Sequence, residues 1–63
     1  MSAVVARTNL HGLEYLVEYG TRLKWALSEA EAAHFDSVRE ATRAAMRLPG
    51  ALRAYALPLK VAV

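Results

Sequence analysis

The stretch that decides the fold is residues 37–50, SVREATRAAMRLPG, because it carries both a start and a stop signal for a helix. Ser37 and Glu40 have the Ser-x-x-Glu spacing of a capping box, which satisfies free backbone N–H groups at a helix start. Pro49 and Gly50 end the pattern. Apolar residues recur between these signals at steps of three and four, forming one helical face: Val38, Ala41, Ala45 and Leu48. The sequence therefore predicts a helix over residues 38–48.

Upstream of this helix, Ser28 and Glu31 repeat the capping-box spacing. A second helix start at this position has two interpretations. It predicts either a separate helical turn before Phe35 or one long helix that continues to Leu48.

The two ends of the chain are predicted to be strands. Every second residue from Tyr55 to Val63 is apolar, which predicts a strand. Pro58 cannot donate a backbone hydrogen bond, so this strand should lie at a sheet edge or carry a bulge. Residues 3–7 predict another strand, followed by a loop over residues 8–12.

Residues 13–27 fit two patterns. Leucines at steps of three and four fit a helical seam, but that helix would contain Gly20, which costs about 1 kcal/mol relative to alanine. A hairpin with a three-residue loop over 20–22 fits better, because it aligns the large residues on one face. The predicted pairs are Tyr19 with Leu23, Val17 with Trp25 and Tyr15 with Leu27, with Glu18 opposite Lys24 on the other face.

Together these elements predict an α+β fold in a single domain over residues 1–63. A small antiparallel sheet of three to four strands carries one helix, in the order strand, strand, strand, helix, strand. The helix is expected to cover the face with the tyrosines, Val17 and Trp25. Leu16 and Pro58 would then mark the uncovered side, and an uncovered apolar face indicates a partner or a dimer. The alternative is an all-helical hairpin that dimerises through the leucine seam.

Composition limits the classes of function. The chain has 63 residues, no cysteine, two histidines and a formal net charge of +2. Disulfides and thiolate zinc sites are therefore excluded, and a chain this short buries only about 60% of its unfolded surface. We predict neither a membrane span nor a signal peptide, which favours a cytoplasmic protein. The mild basicity permits nucleic-acid binding without requiring it.

A run from Trp25 through residues 32–41, AAHFDSVREA, resembles small α+β proteins of phages and other mobile elements. The resemblance covers about a third of the chain. Such proteins include inhibitors of host defence systems, among them anti-CRISPR proteins, and minor virion components. The resemblance implies binding to a host complex or a place in a larger assembly, and no functional residue carries over from it. Inhibitors that mimic DNA are strongly acidic, whereas this chain is basic.

The sequence argues against catalysis and cofactors. Glu31 and His34 have the Glu-x-x-His spacing of di-metal helical bundles, but the remaining ligands could come only from a symmetric dimer. We therefore predict no metal site. Serine, histidine and aspartate show no nucleophile pattern, and three glycines are too few for a phosphate-binding loop. We predict a protein that is not an enzyme and binds no cofactor.

The best functional indication is a ridge of arginines at steps of four along the helix, Arg39, Arg43 and Arg47, followed by Arg53. Such a ridge can bind an acidic protein surface or phosphates, although exposed arginines are also common on solvated helix faces. With Trp25 these arginines are the predicted binding residues. The leading prediction is a protein-binding module, and the alternative is a small nucleic-acid-binding domain that uses the ridge. A homodimer remains open.

Overall fold

The computed structural model describes residues 2–59 and contains a four-stranded antiparallel sheet with one helix packed on it. The predicted α+β class and element order are confirmed, and the all-helical alternative is wrong. The sheet order is β3-β2-β1-β4. The elements are β1 (Ala3–Asn9), β2 (Gly12–Glu18), β3 (Lys24–Ala26), a 3-10 turn (Glu29–Glu31), α1 (Val38–Met46), a second 3-10 turn (Gly50–Leu52) and β4 (Tyr55–Pro58).

The first hairpin is tighter than the sequence predicted. β1 continues to Asn9, which pairs with Gly12, so only two residues form the turn instead of the five predicted. The Asn9 side-chain oxygen accepts a hydrogen bond from the His11 backbone N–H at 2.8 Å. Gly12 adopts a positive φ of 110°, which a residue with a side chain rarely tolerates. Asn9 thus stabilises the tight turn with a side-chain hydrogen bond, and Gly12 with a backbone conformation that suits glycine.

The second hairpin contains a β-bulge that changes its register. Glu18 lies opposite Lys24 as predicted, but the next pair is Leu16 with Trp25. The predicted pairing of Val17 with Trp25 is therefore wrong. The bulge inserts one extra residue, Val17, on β2. Because side chains alternate between the two faces, this insertion changes which β2 residue shares a face with each β3 residue beyond the bulge.

The helix begins and ends close to its predicted bounds. The Ser37 hydroxyl accepts a hydrogen bond from the Glu40 backbone N–H at 3.2 Å, as an N-cap residue should. Regular helix ends at Met46, two residues before the predicted end. The Ser28 hydroxyl caps a separate 3-10 turn by accepting from the Ala30 N–H at 3.3 Å. The alternative of one long helix is therefore wrong.

β4 pairs with β1 at one edge of the sheet, with Tyr55 opposite Ala6 and Pro58 opposite Ala3. The predicted edge position of Pro58 is confirmed. The Leu59 backbone N–H extends the pairing by donating to the Ser2 carbonyl at 2.9 Å. The predicted strand also included residues 60–63, which lie outside the described residues.

The core lies between α1 and the face of the sheet that carries Leu16. Its buried members come from β1, β2 and α1, and half-buried Trp25 and Phe35 pack against them. The buried set is Ala3, Val5, Leu16, Ala41 and Ala45. On β2 the helix thus covers the face opposite to the predicted one, whereas Trp25 packs against the core as predicted, because the bulge places it opposite Leu16. The prediction that Leu16 and Pro58 mark the uncovered side is wrong, since Leu16 is fully buried and Pro58 shares its face with Ala56, which packs against the core.

Candidate binding surfaces

The face of the sheet that α1 leaves uncovered is the first candidate surface, and we call it the open face. Strand alternation and the pairing register place mainly apolar side chains from all four strands, β1 to β4, on this face. Its members are Val4, Ala6, Thr8, Leu13, Tyr15, Val17, Ala26, Tyr55 and Leu57. Apart from the Thr8 hydroxyl and the phenol groups of the two tyrosines, these side chains are apolar.

Two small residues at the centre of the open face are buried although no helix covers them. Val4 and Ala6 are both 0% exposed. Ala6 lies between Tyr15 on β2 and Tyr55 on β4, so its larger neighbours shield it from solvent. The Tyr55 and Thr8 hydroxyls are 3.4 Å apart across the strands, which helps to fix the Tyr55 ring. The result is a shallow apolar surface with raised aromatic flanks.

The nine members carry no charge, although the chain has eight basic and six acidic residues. Alternation along β3 puts Lys24 on the same face as Ala26, and Lys24 pairs with Glu18, so one pair of opposite charges borders the nine at the bulged end of the sheet. Leu13 and Tyr55 are each 39% exposed, so the apolar groups reach the solvent. A surface of this kind suits an uncharged, apolar contact and offers nothing to a phosphate.

The second candidate surface is a groove beside α1, which we call the α1 groove. Its main hollow has a volume of about 410 Å³. Helix α1 and its C-cap supply one wall with Glu40, Arg43, Ala44 and Arg47. The other wall comes from Tyr19 after β2 and from the segment before the helix, with His34, Phe35 and Asp36.

Two local features create the α1 groove. Ala44 is half-buried and lines both the main hollow and an adjoining one of about 180 Å³, so a small side chain on the helix leaves the space open. The Tyr19 and Phe35 rings form a tilted pair with centroids 5.4 Å apart. Such pairs are favourable and hold both rings in place. Tyr19 nevertheless stays 54% exposed, which leaves part of its ring available to a ligand.

The structure separates the predicted arginines. All four are exposed, but only Arg43 and Arg47 line the α1 groove. Arg39 lies outside it on the same helix, and Arg53 ends the second 3-10 turn in a left-handed conformation with φ of 53°. Within residues 2–59 the one ion pair joins Arg7 to Glu14, so neither groove arginine is paired with a carboxylate there.

Trp25 takes part in a cluster that the sequence patterns missed. Its ring packs against the core, and the Arg7 guanidinium lies over it at 4.3 Å from the ring centroid. Arg7 Nε also donates a hydrogen bond to Glu14 Oε1 at 2.8 Å. Arg7 and Glu14 are direct cross-strand partners, so their opposite charges were the available signal. The structure thus places Trp25 apart from the arginine ridge, beneath another arginine.

Other residues that sequence patterns missed are Tyr19, His34 and Phe35, because the α1 groove joins segments that are distant in the chain. His34 and Glu31 do not share the groove lining. Within residues 2–59, no three histidine, aspartate or glutamate side chains are grouped in a way that could hold a metal ion. No helix in that range has the length and hydropathy needed to cross a bilayer.

Comparisons with protein-family models, curated proteins and solved structures find no match to this chain. The candidate surfaces therefore have to be argued from their own geometry and chemistry.

Proposed function

We propose that this protein is a non-enzymatic protein-binding module, and that it binds through the open face. The observation that supports this proposal most directly is the open face itself: nine neighbouring side chains without a charge, on a sheet whose other face is already covered. Four strands spaced about 4.8 Å apart give such a face an area on the order of 400 Å². The largest apolar patch on a monomer is commonly of about this size, and it is often a functional surface.

The chemistry of the face specifies the partner. An uncharged surface flanked by two tyrosines matches an apolar, uncharged surface on another protein, since a charged partner would lose its hydration without gaining a counter-charge. Tyrosines are common in protein interfaces because they combine a large apolar area with a hydroxyl that can remain hydrated. The proposed occupant is therefore an apolar surface of a different protein. An inhibitor of a host defence complex and a small subunit of a larger assembly would both act in this way.

The composition of the core supports the same proposal. The buried residues include five alanines, two valines and one leucine, while Leu13, Tyr15 and Tyr55 remain at least partly exposed on the open face. The largest apolar side chains of this face are thus only partly removed from solvent. Covering them gains roughly 25 cal/mol for each Å² of apolar surface buried, which favours association.

The test is capture of a partner by the tagged protein from a lysate of its native host, after nuclease treatment and a high-salt wash. The open-face variant is Leu13→Lys/Tyr55→Lys. The matched control is Leu10→Lys/Leu27→Lys, which adds the same charges at leucines that are 101% and 66% exposed and lie outside the open face. We expect one protein to be retained by wild type and control and lost by the open-face variant, because two buried lysines would oppose an apolar contact.

The captured protein is then purified and its affinity is measured with all three forms. Equal affinity for the open-face variant and the control would contradict the proposal. So would recovery of nucleic acid alone. Light scattering of the purified chain provides a further check, since a dimer that the open-face variant disrupts would show that a second copy, and not another protein, covers the face.

A further inference from the structure

The α1 groove combines three kinds of group that the open face lacks. Arg43 and Arg47 provide two guanidinium groups on the helix wall. Tyr19 provides an aromatic ring that is 54% exposed at the opposite wall. Glu40 and Asp36 provide carboxylates in the same lining. The hollow of about 410 Å³ falls within the range of about 300–1,000 Å³ that is common for small-ligand sites.

Each of these groups matches one part of a nucleotide. Guanidinium groups bind phosphate oxygens through paired, charge-assisted hydrogen bonds. An exposed aromatic ring stacks on a base, and every base has a face that can stack. Carboxylates accept hydrogen bonds from an exocyclic amino group such as that of cytosine. Because cations and carboxylates line the same hollow, a ligand with a phosphate and an amino-bearing base fits it better than a simple anion does.

The arginines are available for this role. Within residues 2–59 the one ion pair is Arg7 with Glu14, so neither Arg43 nor Arg47 forms an ion pair with a carboxylate of that range. Tyr19 is held against Phe35 with ring centroids 5.4 Å apart, which fixes its position before a base arrives. A ring that is already ordered loses little conformational entropy on binding.

We infer that the α1 groove binds one nucleotide unit of a single-stranded nucleic acid, with the phosphate at Arg43 and Arg47 and the base stacked on Tyr19. A duplex does not fit this arrangement, since its bases are stacked and paired with one another and cannot reach the ring. The groove and the open face share no residue. This inference and the proposed function can therefore each fail alone.

The experiment measures binding of a fluorescein-labelled twelve-nucleotide oligo(dC) by anisotropy. The groove variant Arg43→Gln/Arg47→Gln is compared with Arg39→Gln/Arg53→Gln, which removes the same charge from exposed arginines outside the groove. We expect the groove variant to weaken binding at least tenfold, and the control variant to weaken it less than about threefold. One phosphate neutralised at Arg43 and Arg47 predicts a slope of about −0.7 for log K against log salt, and this slope should approach zero in the groove variant.

Further arms identify the ligand. Tyr19→Leu should weaken binding about tenfold by removing the stacking surface. Unlabelled cytidine monophosphate should compete and inorganic phosphate should not. A twelve-base-pair duplex should bind at least tenfold more weakly than the single strand. Circular dichroism of each variant establishes that the fold is kept.

Four results would overturn the inference. Equal losses in the two arginine variants would show that only net charge matters. Competition by phosphate equal to that by the nucleotide would reduce the groove to an anion site, and equal binding of the duplex would exclude stacking. Absence of oligonucleotide binding at low salt would remove the site altogether.

Discussion

The two faces of the sheet differ in how far their large side chains are removed from solvent. The covered face combines small residues such as Ala3 with the fully buried Leu16 and the half-buried Trp25. The open face carries Tyr15 and Tyr55. Small residues let a helix approach a sheet closely, whereas large residues on the outer face add apolar area where nothing covers it. The comparison indicates that the covered face serves stability and the open face serves contact with a partner.

The largest expected difference between the faces is at their leucines. Leu16 on the covered face is 0% exposed, whereas Leu13 on the open face of the same strand is 39% exposed. Leu16→Ala should lower the free energy of unfolding by about 3 kcal/mol, because it leaves a cavity beneath α1. Leu13→Ala should lower it by less than about 1 kcal/mol, since less area is lost and no closed cavity forms.

Urea denaturation followed by circular dichroism measures both changes. A small domain has a total stability on the order of 5 kcal/mol, so the Leu16 variant should keep only about 2 kcal/mol and unfold at a much lower urea concentration. Equal losses for the two leucines would contradict the division of roles between the faces.

A closer comparison uses the neighbouring valines of β1. Val4 and Val5 are both 0% exposed, but Val5 belongs to the core beneath α1 and Val4 to the open face. Val5→Ala should lower the free energy of unfolding by about 2 kcal/mol, the transfer of two methyl groups plus a cavity. Val4→Ala should lower it by about 1 kcal/mol, because the flanking side chains can close over the gap. Thermal and urea unfolding of the two variants at equal protein concentration give this difference directly.

The order of these two losses is informative. If Val4→Ala is the more destabilising, the open face is already buried in solution. If a second copy of the chain covers the face, the loss for Val4→Ala should decrease on dilution, because the dimer dissociates. If the loss does not change with concentration, the assignment of Val4 to the open face is wrong.

The smallest expected effect concerns the covered face at Trp25, where the Arg7 guanidinium lies over the ring. Arg7→Gln removes the cation–π contact and the hydrogen bond to Glu14, and it should lower the free energy of unfolding by about 0.5–1 kcal/mol. It should also increase quenching of Trp25 fluorescence by iodide, because the ring loses its cover. Arg22→Gln is the matched control, since Arg22 is exposed and the charge change is the same. Equal quenching in the two variants would show that Arg7 does not shield the ring.

Local signals in the sequence predicted the elements well. The Ser37 capping box predicted the helix start and alternation predicted β4, because both signals depend on residues that are close along the chain. Glu18 opposite Lys24 was also predicted. The β2–β3 bulge was not, since it follows from which register lets Trp25 pack beneath the sheet, and that choice depends on the whole core. One extra residue at Val17 was enough to exchange the two faces.

The candidate sites show the same limit. The spacing of Arg43 and Arg47 predicted that they share a helical face, and both do line the α1 groove. The aromatic wall opposite them joins Tyr19 to Phe35 across sixteen positions of sequence, through an aromatic contact that no periodic pattern contains. For the same reason, the sequence could not predict which of the four arginines line the groove and which face only solvent.

The pairing of β4 with β1 also has a consequence for how the chain folds. Val4 and Leu57 become neighbours in the sheet although they are separated by more than fifty positions. Contacts between distant residues form late, because closing the intervening loop costs chain entropy. During synthesis the outer edge of β1, with its run of apolar residues Ala3 to Ala6, therefore stays unpaired until β4 has been made. A free apolar edge is a template for pairing with other chains, so β4 protects the nascent protein from aggregation as soon as it docks.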